Sequence, residues 1–258
     1  MEKLLKSLML FCIFISLIFF GCNDVSDISK NSNKNVNNPN NFVPQDLEIT
    51  ATLLIYKSKS YNLNLSSFIT TSGCDAAFYN AGDFSVDAGI ITLNSDTIRR
   101  YSAPTGQQNP DSMFAYGFQP YEDLLFNGGN YNWNISGTLN YPGFSQTIAA
   151  PDHEVTILSP LNGGSFSKSS NLIISWTTSD NPCDTVKILI TSDGKVINKY
   201  VPDTGSCTIT SNELSIFNNN ENISISLAAG NYKFIPLLGK YALLAVLSMD
   251  QIYCTVII

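Results

Sequence analysis

Apolar residues recur at every second position in short runs broken by Asn, Gly, Asp and Pro, a pattern that confines this chain to β structure. Leu47, Ile49, Ala51, Leu53 and Ile55 fall on one face of a strand, as do Tyr61, Leu63 and Leu65. Phe84, Val86 and Ala88 repeat the pattern, followed by Ile91 and Leu93 before a turn at Asn94-Ser95-Asp96. Asn127-Gly128-Gly129-Asn130 separates Leu124-Leu125-Phe126 from the alternating Tyr131, Trp133 and Ile135. Ala149-Ala150-Pro151 closes this first set. No 3.6-residue apolar repeat of helical length interrupts it.

A second set begins at Val155 and Ile157 and crosses a polar loop before Leu172, Ile174 and Trp176 alternate. Alternation turns those three toward one sheet face, so Trp176 is expected in a core between sheets. Val186, Ile188 and Ile190 follow, and Asp193-Gly194 is a hairpin turn into residues 196–201. Thr208 to Thr210, then Ile223, Ile225 and Leu227, and finally residues 252–258 supply further strands. The apolar run 241–247 does not alternate and reads equally as a buried strand or a short helix. The expected fold is all-β: two consecutive β-sandwich, Ig-like domains, residues 46–150 and 151–258.

Within the second set, Ile157-Leu158-Ser159-Pro160, Asn162-Gly163-Gly164 and Leu172-Ile173-Ile174-Ser175-Trp176 resemble the "SP-x-x-G … L-x-I-x-W" pattern of bacterial Ig-like modules of surface proteins. The resemblance covers roughly residues 151–230 and implies adhesion, spacing or ligand presentation. The antibody-type Cys-Trp-Cys pattern is absent, since no Cys precedes Trp176 within this domain.

The first residues carry an address. Lys3 and Lys6 precede an apolar run, 8–20, broken only by Ser16, and Gly21-Cys22 follows. Such a run is a secretory h-region, shorter than the roughly 18 apolar residues of a spanning helix. Ile18-Phe19-Phe20-Gly21-Cys22 resembles the lipobox of bacterial lipoproteins, departing from it at Phe19 where Leu is usual. The resemblance implies a signal peptide over 1–21, lipidation at Cys22, a bilayer partner reached through the acylated Cys22, and a cell-envelope location with the outer membrane or cell surface favoured. Residues 23–41 hold eight asparagines and few apolar side chains, so 22–45 is expected as a disordered tether.

A net charge of −7 and a pI near 4.6 lack the basic footprint that nucleic acid requires. Asp203-Thr204-Gly205-Ser206 matches the D-T-G-S loop of aspartic peptidases, whose chemistry needs two carboxylates sharing a proton. Pro202 stands where that family runs an apolar strand into the Asp, and the only later partner element, Leu237-Leu238-Gly239, follows too soon. Asp203 is therefore expected as a turn residue. His153, the one histidine, sits beside Pro151 and Asp152 between the two sets, a poor base for a nucleophilic triad. Asp180, Asp184, Asp193 and Asp203 either gather around calcium or serve as ordinary turn residues. Cys74, Cys183, Cys207 and Cys254 allow three disulfide pairings, or remain thiols.

Residues 101–126 are rich in aromatics on a polar background. Tyr101, Tyr116, Phe118 and Tyr121 are the candidate ligand contacts, with core packing of Phe114, Tyr116 and Phe118 as the alternative. The sequence thus points to a non-enzymatic, membrane-anchored lipoprotein that needs no cofactor or metal and binds a protein or glycan ligand. Two other readings remain: a carbohydrate-binding module on 101–126, and an aspartic-type hydrolase on Asp203.

Overall fold

The computed structural model describes residues 48–62, 65–80, 85–103, 113–118 and 124–258. Residues 1–45, expected as a signal peptide and a tether, lie outside them. The described chain is almost entirely β. Its strands are β1 (Ile49–Asn62), β2 (Ser67–Phe78), β3 (Ile91–Leu93), β4 (Asp96–Thr97), β5 (Arg99–Ala103), β6 (Met113–Phe118), β7 (Asn130–Ile135) and β8 (Phe144–Ala149), followed by β9 (Ile157–Ser159), β10 (Ser165–Ser167), β11 (Leu172–Trp176), β12 (Thr185–Ser192), β13 (Lys195–Val201), β14 (Ser206–Ile209), β15 (Asn222–Leu237) and β16 (Lys240–Ile257). One short helix, α1 (Ser211–Leu214), is held by a capping box between Thr210 and Glu213.

A nine-stranded sheet runs β13-β12-β15-β16-β1-β2-β6-β5, with β10 joined to the end of β16. Two smaller sheets face it: β4-β3-β7-β8 and β14-β11-β9. The first facing sheet closes a core containing Leu53, Ile55, Phe78, Tyr116, Trp133, Tyr141 and Leu244. The second closes a core containing Ile174, Trp176, Ile188, Ile190, Ile225, Leu227 and Ile252. The architecture is thus a sandwich with two cores.

The boundary at 150/151 separates the two facing sheets but not the main one. β1 pairs in parallel with β16, from Ile49↔Tyr241 to Ser60↔Gln251. β16 gives Ala242, Leu244 and Val246 to the first core, then Ile252, Cys254 and Val256 to the second. A single strand of 18 residues therefore belongs to both.

Run 241–247 is a strand. It lacks alternation because both of its faces are buried: Leu244 and Val246 on the first core, and Leu243 and Leu247 on the opposite face, at 3% exposure or less. Where one face meets water, alternation is plain. β7 reads as alternately exposed and buried, and in β11 Leu172, Ile174 and Trp176 are buried around an exposed Ile173. The predicted turn at Asp193-Gly194 joins β12 to β13 with φ of 41° and 79°, the left-handed pair a tight hairpin requires.

Candidate functional site

Where β13 ends, Pro202 to Gly205 turn the chain into β14, with Gly205 at φ 82°. This turn points the Asp203 carboxylate inward, where its side chain is fully buried. A carboxylate taken from water must be hydrogen-bonded throughout. The Trp176 indole Nε1–H donates to Asp203 Oδ1 at 2.7 Å. On Oδ2, the Cys183 backbone N–H donates at 3.2 Å and the Cys183 thiol at 3.1 Å.

His153 meets the same group. Its Nε2 lies 3.6 Å from Asp203 Oδ2, and its Nδ1 lies 3.1 Å from Asp152 Oδ1. Asp152 Oδ1 also accepts from the Ser179 hydroxyl at 2.5 Å. The Ser179 and His153 hydrogen bonds hold the Asp152 carboxyl below the usual carboxylate range. Burial, and then the Asp203 hydrogen bond and charge, push the Cys183 thiol well above its ordinary range.

The chemistry of this cluster is that of a brace. A triad needs a hydroxyl or thiol against an imidazole nitrogen. Here the Ser179 hydroxyl bonds Asp152 and the Cys183 thiol bonds Asp203. A thiol held protonated is a poor nucleophile. Leu237-Leu238-Gly239, the possible second peptidase element, forms the tight turn between β15 and β16. Asp203 is the turn residue expected, with an added long-range role that sequence did not reveal. The only hint was that a buried tryptophan N–H seeks an acceptor.

The aromatic candidates separate. Tyr121 and Cys22 lie outside the described residues, as do the side chains of Tyr101 and Phe118. Tyr116 is a core residue at 2% exposure and is removed from the ligand contacts. Strand β6 pairs Tyr116 with Ala76 of β2, and that register turns its ring against Phe78, edge to face, at 5.7 Å. The Tyr116 hydroxyl donates to Asp87 Oδ1 at 2.6 Å and accepts from the Ala88 N–H at 2.9 Å. Burial, then the Asp87 hydrogen bond, raise the Tyr116 phenol to about 12.

Two of the aspartates weighed for calcium have structural places instead. Asp184 Oδ2 accepts from the Tyr232 N–H at 3.2 Å, and Asp193 sits in the β12–β13 turn. Among the described residues, no group of three His, Cys, Asp or Glu could hold a metal ion. Cys74, Cys183, Cys207 and Cys254 carry thiols rather than disulfides.

No family model and no curated protein matches the chain. Among solved structures, it is similar to the chicken CNTN1 FN1–FN3 domains at 10% identity, covering 78% of this chain and 68% of that one, with a TM-score of 0.24. It is also similar to DIP-gamma IG1+IG2 at 10% identity, covering 81% of this chain and 98% of that one, with a TM-score of 0.20.

Proposed function

We propose that this chain is a non-enzymatic bacterial envelope lipoprotein, anchored through Cys22, whose double sandwich acts as a binding or adhesion body behind an Asn-rich tether. The observation that carries the non-enzymatic part is the closed set of donors around Asp203, which engages the most catalytic-looking carboxylate in bracing Trp176 and Cys183. The anchor rests on the residues ending at Gly21-Cys22. Two or more acyl chains would hold the protein stably, since one chain anchors only marginally. The ligand is a protein or a glycan, met at the cell surface or outer membrane.

The test is Cys22→Ala. The wild-type protein should partition into the detergent phase and take up a fatty-acid probe, and the variant should do neither. Retention of both by the variant defeats the anchor. An acid-pH peptidase activity in the purified protein that is lost with Asp203→Asn defeats the non-enzymatic reading.

A further inference from the structure

Tight turns between strands favour Asn, Gly and Asp, which tolerate left-handed backbone and meet water well. The two-residue turn between β15 and β16 departs from that rule. It reads Leu238-Gly239, with φ of 55° and 76°. A leucine in the left-handed region is strained by its own Cβ. Leu238 nonetheless stands at the turn with 58% of its surface exposed. A second leucine is presented in a similar way between β7 and β8. The Thr138 N–H donates to the Tyr141 carbonyl at 2.7 Å, which closes a turn, and Leu139 within that turn is fully exposed.

Both turns stand at the end of the sandwich where β1 begins. The Tyr241 N–H donates to the Glu48 carbonyl at 2.9 Å, and the Lys240 ammonium lies 3.2 Å from Glu48 Oε2. The other turn is held to the same strand by the Tyr141 hydroxyl, which donates to the Thr50 carbonyl at 3.2 Å. Residues 23–47 separate this end from Cys22, and a chain of that length reaches at most about 85 Å. An anchor at Cys22 therefore keeps both turns at high local concentration over the bilayer, where a weak second contact is enough to dock them. Exposure alone does not single out these leucines. Leu161 is exposed as well, but its loop meets β16 at Tyr253, where Asn162 Oδ1 accepts from the Tyr253 N–H at 2.9 Å. That point lies roughly 40 Å along the strand from Tyr241.

We infer that Leu238 and Leu139 are a second, non-covalent contact of the folded body with the lipid bilayer that carries its anchor. The inference rests on anchoring through Cys22 and adds how the body is oriented on the membrane. Apolar side chains at such a contact enter the boundary between headgroups and acyl chains. Lys240 and Tyr241 follow directly behind Leu238. Lysine keeps its ammonium in water while its stem lies against apolar surface, and tyrosine settles at headgroup level. The contact also accounts for a leucine at φ 55°, where asparagine would make the easier turn and the poorer membrane contact.

The test uses the purified, acylated chain in vesicles of phosphatidylethanolamine and phosphatidylglycerol, with and without brominated acyl chains. Trp133 and Trp176 are buried and supply the background emission. Leu238→Trp and Leu139→Trp should each add emission that shifts to the blue in vesicles and loses most of its intensity to the bromine. Leu161→Trp should float with the vesicles and keep its added emission. Leu139→Asn in the Leu238→Trp chain should restore part of the lost emission with an unchanged melting curve, because the two turns enter together. Flotation with both turns unquenched would overturn the inference and leave the anchor standing. Failure to float would overturn the anchor and this inference with it. Equal quenching of Leu161→Trp would mean adsorption without a preferred end, which also overturns it.

Discussion

The two cores each bury one tryptophan in a strand of the facing sheet, and they treat its polar atom in opposite ways. Trp133 on β7 is 1% exposed, and its indole N–H finds no partner among the described residues. Trp176 on β11 is 2% exposed, and its N–H donates to Asp203. The first core is rich in aromatics, with Phe78, Tyr116 and Tyr141 in edge-to-face contact. The second is filled chiefly by isoleucine. The first core therefore places Trp133 by shape alone. In the second, Trp176 is also fixed by a hydrogen bond to a charged acceptor, which ties β11 to the turn after β13.

The sharpest way to break this comparison is truncation. Trp133→Ala and Trp176→Ala should each cost ~3–5 kcal/mol, because each empties a large buried volume. Since β15 and β16 run through both cores, the effect should not stay local. Each variant should lower the melting temperature of one common transition, followed by calorimetry together with tryptophan fluorescence from the core left intact. Two separated transitions, with one core melting at the wild-type temperature, would show that the shared strands do not couple the cores.

Replacement by Phe isolates the polar difference. Both changes keep an aromatic ring and remove the indole N–H. Trp133→Phe removes an unsatisfied donor, whereas Trp176→Phe leaves Asp203 Oδ1 buried without its donor. A buried acceptor stripped of its partner costs ~1–3 kcal/mol, more when charged. Trp176→Phe should be the more destabilising by about that amount in urea melts. Equal losses would mean that the Trp176–Asp203 bond contributes nothing net.

Trp176's burial was legible in the sequence because alternation survives wherever one face of a strand meets water. The same holds for β7 and for the turn at Asp193-Gly194. Strand β2 was not legible, because its first residues, Ser67 to Thr71, are mostly polar and exposed and carry no apolar period. Run 241–247 stayed ambiguous because burial on both faces removes the period that tells a strand from a helix. The parallel pairing of β1 with β16, nearly the whole described chain apart, leaves no local mark. At the brace, the turn at Asp203 could be read from Pro202, Asp203 and Gly205. Its approach to His153 and Trp176 could not, since those contacts are made only when the sandwich closes.

The smallest effects concern ionisable groups, one placed by each half of the chain on the main sheet. Burial raises the Asp75 carboxyl of β2 to about 6, against a hydrogen bond from Tyr56 that lowers it. Burial lowers the Lys187 ammonium of β12 to about 8. The folded chain keeps the Asp75 proton up to about pH 6, while the unfolded chain loses it near 3.8, so stability falls as pH rises between those values. Lys187 loses its proton near 8 when folded and near 10.5 when unfolded, so its contribution makes stability rise across that interval. Each group should cost ~1–2 kcal/mol of stability at neutral pH, with solvent access reducing the full effect of the shift. Asp75→Asn should stabilise the protein above pH 6 and flatten the acid limb of its stability profile. Lys187→Met should stabilise it below pH 8 and flatten the alkaline limb. Urea melts from pH 4 to pH 10 read both limbs, and a variant whose profile runs parallel to the wild type would show that its group titrates alike in the folded and unfolded chain.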